Sequence, residues 1–483
     1  MNRLRGLALI ATCLAFIGGA GQIRVIAADD PVPPMFVAKP YLQIGDRPKS
    51  GNLVLLWHTD DVDADWSVDY RPAVDRSWET AGIPSSTRVA VGEVAPHRVY
   101  RAELKGLVPG GEFAYRVKKG GTVVFSADGP SPKAVDQPFR FVTFGDCGVN
   151  SAGQKAIAYR TFLARPDLVM ITGDIVYDRG RVSEYRQKFW PIYNADEPST
   201  LVGAPLLRSS LFVAAPGNHD IATRDLDKYP DGLAYFLNWA QPLNGPDGDE
   251  GSAHVSRLVG SLANTKAFRD AAGANFPRMA NFSFDYGNAH WTVIDANPYV
   301  DWNDSGLRSW VEHDLAAAKG ATWRFVAFHH PGFHSSKKHF EEQQMRRMAV
   351  IFEAGHVDIV FNGHVHNYQR SFPLRFVQGS VAAEKSKSAR NAVGGSWTLD
   401  KSFDGRTDTS PDGVIYLVTG GGGASLYNPE QQDAPESWQE FTDKYQAKVH
   451  SMSVADVNGK TLTIRQISLN GEELDRFVIK KSN

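Results

Sequence analysis

The sequence of 483 residues is poor in cysteine, in net charge and in long apolar segments. Its two cysteines are Cys13 and Cys147, and Cys13 lies in an apolar N-terminal run, so a chain without that run has no internal disulfide. The 52 Lys and Arg nearly balance the 54 Asp and Glu, which leaves no strong field to recruit nucleic acid or an anionic membrane. Beyond the N-terminal run, no segment is apolar enough to span a bilayer. These absences favour a small-molecule partner.

What the sequence does contain is typical of a globular enzyme with two or three domains. Hydrophobic residues make up 42% and charged residues 22%, and 44 Gly and 27 Pro suit turns between packed elements. This composition excludes disorder and coiled coil as the main architecture. A chain of this length needs no disulfide or metal merely to fold.

The N-terminus has the pattern of a secretory signal peptide. Arg3 and Arg5 precede an apolar run over residues 7–17, and small residues follow at Ala20 and at Ala28. We therefore predict that residues 1–28 form a signal peptide, cleaved after Ala20 or Ala28, and that the protein is secreted or periplasmic. An uncleaved anchor is the alternative.

Residues 36–135 have an all-β pattern. Short apolar runs at 53–57, 66–70, 88–91, 100–104 and 113–117 are separated by turn residues. In the fourth run Tyr100, Ala102 and Leu104 alternate with polar residues, which predicts a strand with one buried face. The spacing predicts a β-sandwich, and residues 106–117 resemble the tyrosine corner of fibronectin type III domains.

After a proline-rich joint at 129–138, residues 138–483 have the pattern of an α/β domain. Apolar runs at 139–144, 168–172, 211–214, 324–328 and 357–361 alternate with helical patterns. Leu307, Val311 and Leu315 recur at helical spacing before Gly320. Glu341 and Glu342 suit the first turn of another helix. Residues 244–252 and 379–411 are predicted to be long loops.

Polar residues follow each of these five runs within a few positions, usually beside glycine. They are Asp146, Asp174 with Tyr177, Asn218 with His219 and Asp220, His329 with His330, and His364 with His366. Ligands of open α/β sheets bind beyond the carboxyl ends of the strands, so we expect these side chains to converge on one cleft. Adjacent His329 and His330 point opposite ways in an extended chain, so at most one is expected to face the cleft.

This set of donors predicts a metal site of two ions. Carboxylate, amide, phenol and imidazole groups favour Fe, Mn or Zn and disfavour thiolate-type sites. The donors are too many for one tetrahedral ion, whereas two ions that share a carboxylate fit them. Hydrolysis of a phosphoester is the chemistry that most needs such a pair.

The five segments resemble the metallophosphoesterase (calcineurin-like) superfamily, and the Gly-Asp-x-x-Tyr segment that ends at Tyr177 resembles its purple acid phosphatase branch. The resemblance covers about residues 36–480. It implies a multidomain chain, with a fibronectin type III-like β-sandwich followed by an α/β domain whose β-sandwich core is flanked by helices.

The resemblance also implies a role for each matching residue. The first ion, ferric iron, would bind Asp146, Asp174, Tyr177 and His366. The second, divalent Zn, Mn or Fe, would share Asp174 and bind Asn218, His329 and His364. His219 matches a histidine that contacts phosphate, and Asp220 would orient it. His339, with His334 as the rival, most nearly matches the residue on the leaving-group side.

The implied activity is acid phosphatase activity, in which hydroxide formed at the metal pair attacks a phosphomonoester. A phosphodiesterase on the same metal core is the alternative within the class. A non-catalytic protein that grips polymer or cell wall is the alternative outside it. The complete ligand set speaks against a binding protein, which has no reason to retain it.

Overall fold

The computed structural model describes residues 35–72, 77–379 and 392–482. The predicted signal peptide, residues 1–28, lies outside the described residues, as does part of the predicted loop 379–411. Residues 36–483 form one compact unit. Within the described ranges, no helix has both the length and the apolar character that a bilayer crossing requires.

The N-terminal part is built from two antiparallel four-stranded sheets. One has the order β1-β2-β6-β5 and the other β4-β3-β7-β8. The strands are β1 Ala38–Gln43, β2 Leu53–Asp60, β3 Trp66–Pro72, β4 Glu79–Thr80, β5 Ser85–Val89, β6 His97–Leu104, β7 Glu112–Lys119 and β8 Thr122–Pro130. The predicted sandwich is confirmed, and each predicted strand overlaps an observed one.

Alternating burial explains why these segments form strands. In β6 the side chains of Tyr100, Ala102 and Leu104 are buried, whereas Glu103 is exposed, as the sequence pattern predicts. The indole of Trp57 stacks on Tyr100 with ring centroids 5.4 Å apart. Trp57 also contacts Trp66 of the other sheet, with ring centroids 5.8 Å apart, so apolar side chains of the two sheets face one another in one core.

The second part is built around two further sheets, of six and seven strands. Their orders are β13-β10-β9-β23-β24-β25 and β14-β15-β16-β17-β21-β18-β22. The strands are β9 Phe139–Phe144, β10 Leu168–Ile171, β11 Asn194–Ser199, β12 Gly203–Pro205, β13 Leu211–Ala214, β14 Phe282–Tyr286, β15 Ala289–Val293, β16 Trp323–Ala327, β17 Ile359–Asn362, β18 Tyr368–Ser371, β19 Leu374–Gln378, β20 Gly395–Leu399, β21 Ile415–Thr419, β22 Thr442–Gln446, β23 Ser451–Asn458, β24 Thr461–Ser468 and β25 Glu473–Lys480. β9, β10 and β13 are parallel in one sheet, and β15, β16, β17 and β21 are parallel in the other.

Aromatic side chains join these two sheets. Phe141 of the first sheet contacts Trp291, Phe325 and Phe361 of the second, with ring centroids 5.0 to 5.7 Å apart. All four side chains are fully buried. The packing aligns the carboxyl ends of the parallel strands at one edge, because it fixes one sheet against the other.

Helices flank the paired sheets. They are α1 Ala152–Ala164, α2 Val182–Lys188, α3 Trp190–Tyr193, α4 Asn218–Ile221, α5 Tyr235–Asn238, α6 Leu262–Ala272, α7 Ser305–Ala317 and α8 Ala349–Ala354. The predicted helix at α7 is confirmed, with Leu307, Val311 and Leu315 buried. The helix predicted to begin at Glu341 and Glu342 begins later, as a 3-10 turn Gln344–Met348 that leads into α8.

The N-terminal sandwich is hydrogen-bonded to the second part. The backbone N–H of Leu42 donates to the carbonyl of Leu207 at 2.9 Å, and the hydroxyl of Tyr41 donates to the carbonyl of Asn238 at 2.6 Å. The hydroxyl of Tyr115 also donates across the junction, to the carbonyl of Arg208 at 2.9 Å.

Candidate metal centre

Five loops meet at the carboxyl ends of the parallel strands. β9 leads into Asp146, β10 into Asp174 and Tyr177, β13 into Asn218, β16 into His329, and β17 into His364 and His366. Asp146, Asp174 and His364 have positive φ angles of 58°, 51° and 67°. Such strained backbone is concentrated at functional sites, because the surrounding structure must hold it in place.

Three of the predicted ligands form a first group. The hydroxyl of Tyr177 lies 3.1 Å from Oδ1 of Asp146 and 3.1 Å from Nε2 of His366. Nε2 of His366 also lies 3.3 Å from Oδ1 of Asp146. The ring of Tyr427 stacks on the ring of His366 with centroids 3.9 Å apart and fixes its plane. Carboxylate, phenol and imidazole atoms thus face a common point.

Three others form a second group. Nε2 of His329 lies 3.2 Å from Oδ2 of Asp174 and 3.2 Å from Oδ1 of Asn218. Nδ1 of His329 donates to the carbonyl of Thr172 at 2.8 Å, which leaves Nε2 to face the group. A Cβ at Gly217 would collide with the carboxylate of Asp174, so only glycine allows this approach.

His364 makes its side-chain contact elsewhere. Its backbone N–H donates to Oδ2 of Asp146 at 2.8 Å, but its Nε2 lies 3.0 Å from Oε2 of Glu342. Glu342 is a residue that the sequence analysis did not connect with the site. The signal in the sequence is the i, i+3 spacing of His339 and Glu342, which allows the two side chains to meet. The prediction of a helix start at Glu341 and Glu342 left this pairing unused.

His330 lies beside the predicted ligands. Its ring is buried, with its centroid 5.1 Å from that of His329 and 4.2 Å from that of His364. Nε2 of His329 faces Asp174 and Asn218, whereas Nε2 of His330 lies 3.8 Å from Oε2 of Glu342. The expectation that at most one of the two histidines faces the cleft stays a prediction.

His339, and not its rival His334, lies beside the predicted ligands. Its ring centroid is 4.1 Å from that of His364, and its Nδ1 lies 2.7 Å from Oε1 of Glu342. The ring of His334 is buried against Phe340, with centroids 6.0 Å apart. His339 has a φ of 61°, a further strained residue at this edge.

The other two predicted catalytic residues lie between the loops after β10 and β13. Nδ1 of His219 bonds the carbonyl of Asp178 at 2.8 Å, and its Nε2 lies 3.8 Å from Oδ2 of Asp174. Asp220 does not make the orienting contact predicted with His219. Its buried carboxylate instead accepts hydrogen bonds from the backbone N–H of Ile175 at 3.0 Å and of Gly217 at 2.8 Å, and so ties the two loops together.

The electrostatics of the site call for cations. Burial, and then the carboxylates of Asp146 and Asp174, raise the pKa of the Tyr177 hydroxyl well above its usual value. Burial alone would raise the pKa of Asp174, but the neighbouring His329 holds it well below its usual range. A phenolate at Tyr177 beside two carboxylates requires a positive charge between them, because like charges repel strongly in a buried site. The residues present therefore fit a metal pair.

Cys147 is not part of this chemistry. Cys147 is fully buried, and burial raises the pKa of its thiol far above the usual value. Its sulfur lies 3.6 Å from the carbonyl of Ile175. A buried thiol without a nearby cation remains protonated and unreactive. Cys147 therefore serves as a small buried side chain in the core.

Comparisons with known proteins agree with this geometry. Residues 139–368 match the family model of the calcineurin-like phosphoesterase. Purple acid phosphatase 23 of Arabidopsis thaliana is 25% identical over 299 residues, which cover 56% of this chain and 57% of that protein. Probable inactive purple acid phosphatase 1 of the same plant is 24% identical over 430 residues, which cover 83% of this chain and 60% of the relative. The chain thus spans less than two thirds of the length of these relatives.

Solved structures show the same fold. A purple acid phosphatase from yellow lupin (Lupinus luteus) seeds superposes with a TM-score of 0.62 at 17% identity, over 91% of this chain and 74% of that one. PhoD superposes with a TM-score of 0.55 at 13% identity, over 93% of this chain and 94% of that one. Residues 139–368 therefore form a calcineurin-like phosphoesterase domain, and the motifs and fold of the chain are similar to those of purple acid phosphatases.

Proposed function

We propose that this chain is an exported phosphatase that hydrolyses phosphomonoesters with the help of two metal ions. The observation that carries the proposal is the division of six predicted ligands into two adjacent groups, with Asp146, Tyr177 and His366 in one and Asp174, Asn218 and His329 in the other. A chain that only binds a polymer has no need of such paired donor groups. A bound metal pair would supply positive charge to the phosphoryl oxygens and lower the pKa of water.

The protein's own residues would bind and orient the ester. His219 is partly exposed, and its Nδ1 donates to the carbonyl of Asp178, so in the doubly protonated ring Nε2 would donate to a phosphoryl oxygen. His339 is held at Nδ1 by Glu342, which leaves Nε2 to give a proton to the leaving oxygen. Burial alone would raise the pKa of Glu342, but hydrogen bonds with His339 and His364 hold it well below its usual range. The resulting carboxylate fixes the orientation of the His339 ring.

Two further parts of the proposal concern the whole chain. Residues 1–28 would direct export, because Arg3, Arg5 and the apolar run after them fit a signal peptide. Residues 36–135 and 138–483 would be the two domains, with the fibronectin type III-like sandwich as a rigid support. The hydrogen bonds of Tyr41 and Tyr115 across the junction support that role, since they fix the sandwich to α5 and to the segment that precedes β13.

The activity is tested by assaying purified protein with a matched aryl phosphomonoester and aryl phosphodiester. We expect kcat/KM for the monoester to exceed that for the diester at least about tenfold, a difference of about 1.4 kcal/mol in transition-state binding. Preference for the diester would contradict the monoesterase proposal and favour a phosphodiesterase. Turnover of neither ester by metal-loaded protein would favour a binding protein.

The first ion is proposed to be ferric iron bound by Tyr177. We expect the loaded protein to be coloured by charge transfer from the phenolate to the iron, and Tyr177→Phe to lose this visible absorption. Tyr427→Phe is the matched control, because Tyr427 stacks on His366 through its ring and should keep the band. A band that survives in Tyr177→Phe, or an active but colourless wild type, would contradict the assignment.

A further inference from the structure

Four polar side chains lie in the apolar interface between the sandwich and the second part. They are His58 of β2, His97 of β6, Arg186 of α2 and Asn238 of α5, and we call them the junction cluster. The side chains of His58, His97 and Asn238 are each 1% exposed. Tyr41 links two of them, because its hydroxyl lies 2.9 Å from Nε2 of His58 and donates to the carbonyl of Asn238. The cluster thus lies where the sandwich meets α2 and α5.

Arg186 faces the sandwich. It lies four residues before Trp190 in the helical segment formed by α2 and α3, so the two side chains share one side of that segment. The ring of Trp190 contacts those of Tyr41 and His58, with centroids 4.8 and 5.7 Å apart. His97 stacks on His58 with centroids 5.6 Å apart. Burial, and then the charge of Arg186, lowers the pKa of His97, which places the guanidinium near that imidazole.

The hydrogen-bonding atoms of the cluster lack partners. Both ring nitrogens of His97, Nε and Nη2 of Arg186 and both amide atoms of Asn238 are shielded from solvent and have no hydrogen-bond partner among the residues that the structure describes. Leaving such groups unsatisfied is costly, most of all for a charged guanidinium. Most of these atoms are N–H donors, so the missing partner is an acceptor.

The carboxylates near the cluster are already engaged. Oδ1 of Asp231, whose charge acts on Arg186, accepts a hydrogen bond from Nε of Arg181 at 2.6 Å. Oδ2 of Asp61, on the sandwich side of the cluster, accepts one from Nε of Arg88 at 2.7 Å. Neither carboxylate is hydrogen-bonded to Arg186. The unpaired donors and the unbalanced charge together call for an anion.

We propose that Arg186 and His97, with the amide of Asn238, bind one small inorganic anion of the halide type at this junction. The single guanidinium balances one negative charge, and the cost of burying an ion rises steeply with its charge, so the site favours a monovalent ion over a doubly charged oxyanion. A bound anion joins β6 to α2 and α5, and so fastens the sandwich to the second part. The site does not depend on the proposed hydrolysis.

Bromide locates the site, because it scatters anomalously and replaces chloride. Crystals of the metal-loaded protein are grown in sodium bromide, and anomalous data are collected at the bromine edge. We expect a peak within hydrogen-bond distance of Nη2 of Arg186 and of a ring nitrogen of His97, away from the metal centre. Crystals of Arg186→Met, which keeps an apolar side chain without the charge, should lack this peak. A wild-type site that holds only water gives no anomalous peak, and this result would overturn the proposal.

Urea denaturation at pH 7 measures binding in solution. The protein is unfolded in sodium bromide and in sodium gluconate of equal ionic strength, because gluconate is too large for a buried site. Bromide at ten times its Kd should lower the unfolding equilibrium constant of the wild type about elevenfold relative to gluconate. Arg186→Met and His97→Phe should lose this effect. Arg269→Met is the matched control, because Arg269 is exposed on α6 and pairs with Glu250 outside the cluster, and it should keep the effect.

These outcomes decide the anion site separately from the proposed function. Equal stability of the wild type in the two salts, or an equal bromide effect in Arg186→Met, would overturn the site whatever the activity of the enzyme. In gluconate, Arg186→Met should be at least as stable as the wild type, because it removes a buried charge that lacks a partner. A variant that is much less stable in gluconate would show that Arg186 already has its partner within the protein, and would contradict the proposal.

Discussion

Replacing Asp174 by Asn is expected to remove most of the hydrolytic activity and to lower the zinc content by two ions per chain. Asp174 is buried, with Oδ2 3.2 Å from Nε2 of His329, while Oδ1 accepts the backbone N–H of His219 at 2.9 Å. An amide in its place has no charge to bridge two cations, and its NH₂ group would face the N–H donor of His329 or of the His219 backbone, with which it cannot form a hydrogen bond. We expect kcat to fall on the order of a thousandfold, which corresponds to about 4 kcal/mol. Steady-state kinetics and metal analysis of the same preparation measure both effects.

Asp178→Asn is the matched control for this experiment. Asp178 lies in the same loop with an exposed side chain, and its contact with His219 is through the backbone carbonyl, which the substitution keeps. The control should retain the wild-type ion content and most of the activity. Near-normal turnover by Asp174→Asn with only one ion of the pair bound would contradict the bridging role of Asp174.

The second large effect is expected at acid pH, where the free energy of unfolding should fall because of two histidines at the junction between the sandwich and the second part. His97 stacks on His58 with ring centroids 5.6 Å apart, and both are buried. Burial, and then the nearby Arg186, lowers the pKa of His97 to about 4. Burial, and then His97 and Arg186, lowers the pKa of His58 well below its usual value. Tyr41, whose hydroxyl lies 2.9 Å from Nε2 of His58, adds no positive charge.

The sign of the effect follows from these shifts. The unfolded chain binds a proton at His97 once the pH falls below about 6.5, whereas the folded chain resists protonation until about pH 4. The free energy of unfolding is therefore undiminished above pH 6.5 and falls between there and pH 4. We expect His97 alone to account for about 3 kcal/mol of this loss. His58 adds to it in the same direction.

Urea denaturation of metal-stripped protein at pH 7 and at pH 4 measures this loss. His97→Gln, which cannot titrate, should lose about 3 kcal/mol less than the wild type between the two pH values. His313→Gln is the control, because His313 is exposed on α7, and its loss should equal that of the wild type. If His97→Gln and the wild type lose the same free energy of unfolding between pH 7 and pH 4, the His97 imidazole has the same protonation in the folded and the unfolded chain, and the prediction is contradicted.

The rule that ligands bind beyond strand ends predicts most of the candidate site from the sequence. Asp146, Asp174 and His329 were predicted because polar residues beside glycine followed apolar runs, and parallel strands bring such positions to one edge. The prediction succeeds because short apolar runs show where each strand ends, and that position is a local property of the sequence. The same reasoning predicted α7, where the apolar spacing and the following Gly320 are contiguous in the sequence.

The prediction was wrong where a residue's partner lies far away in the sequence. Glu342 suits the first turn of a helix, but its carboxylate bonds His339 and His364, and the helical segment begins at Gln344. Asp220 was expected to orient its neighbour His219, yet it accepts hydrogen bonds from loops after two different strands. The pattern of residues 106–117 likewise gives no sign that Tyr115 bonds Arg208 across the junction.

The sequence by itself thus determined the order of the elements, the buried faces of the strands and which polar residues stand at their ends. Local patterns carry this information, because hydrophobic periodicity and glycine turns act over a few residues. Only the tertiary structure decided how those polar residues are shared among groups. Whether Nε2 of His364 faces Asn218 or Glu342 depends on how the chain beyond β16 packs against the loop after β17, and no short-range pattern encodes that distance.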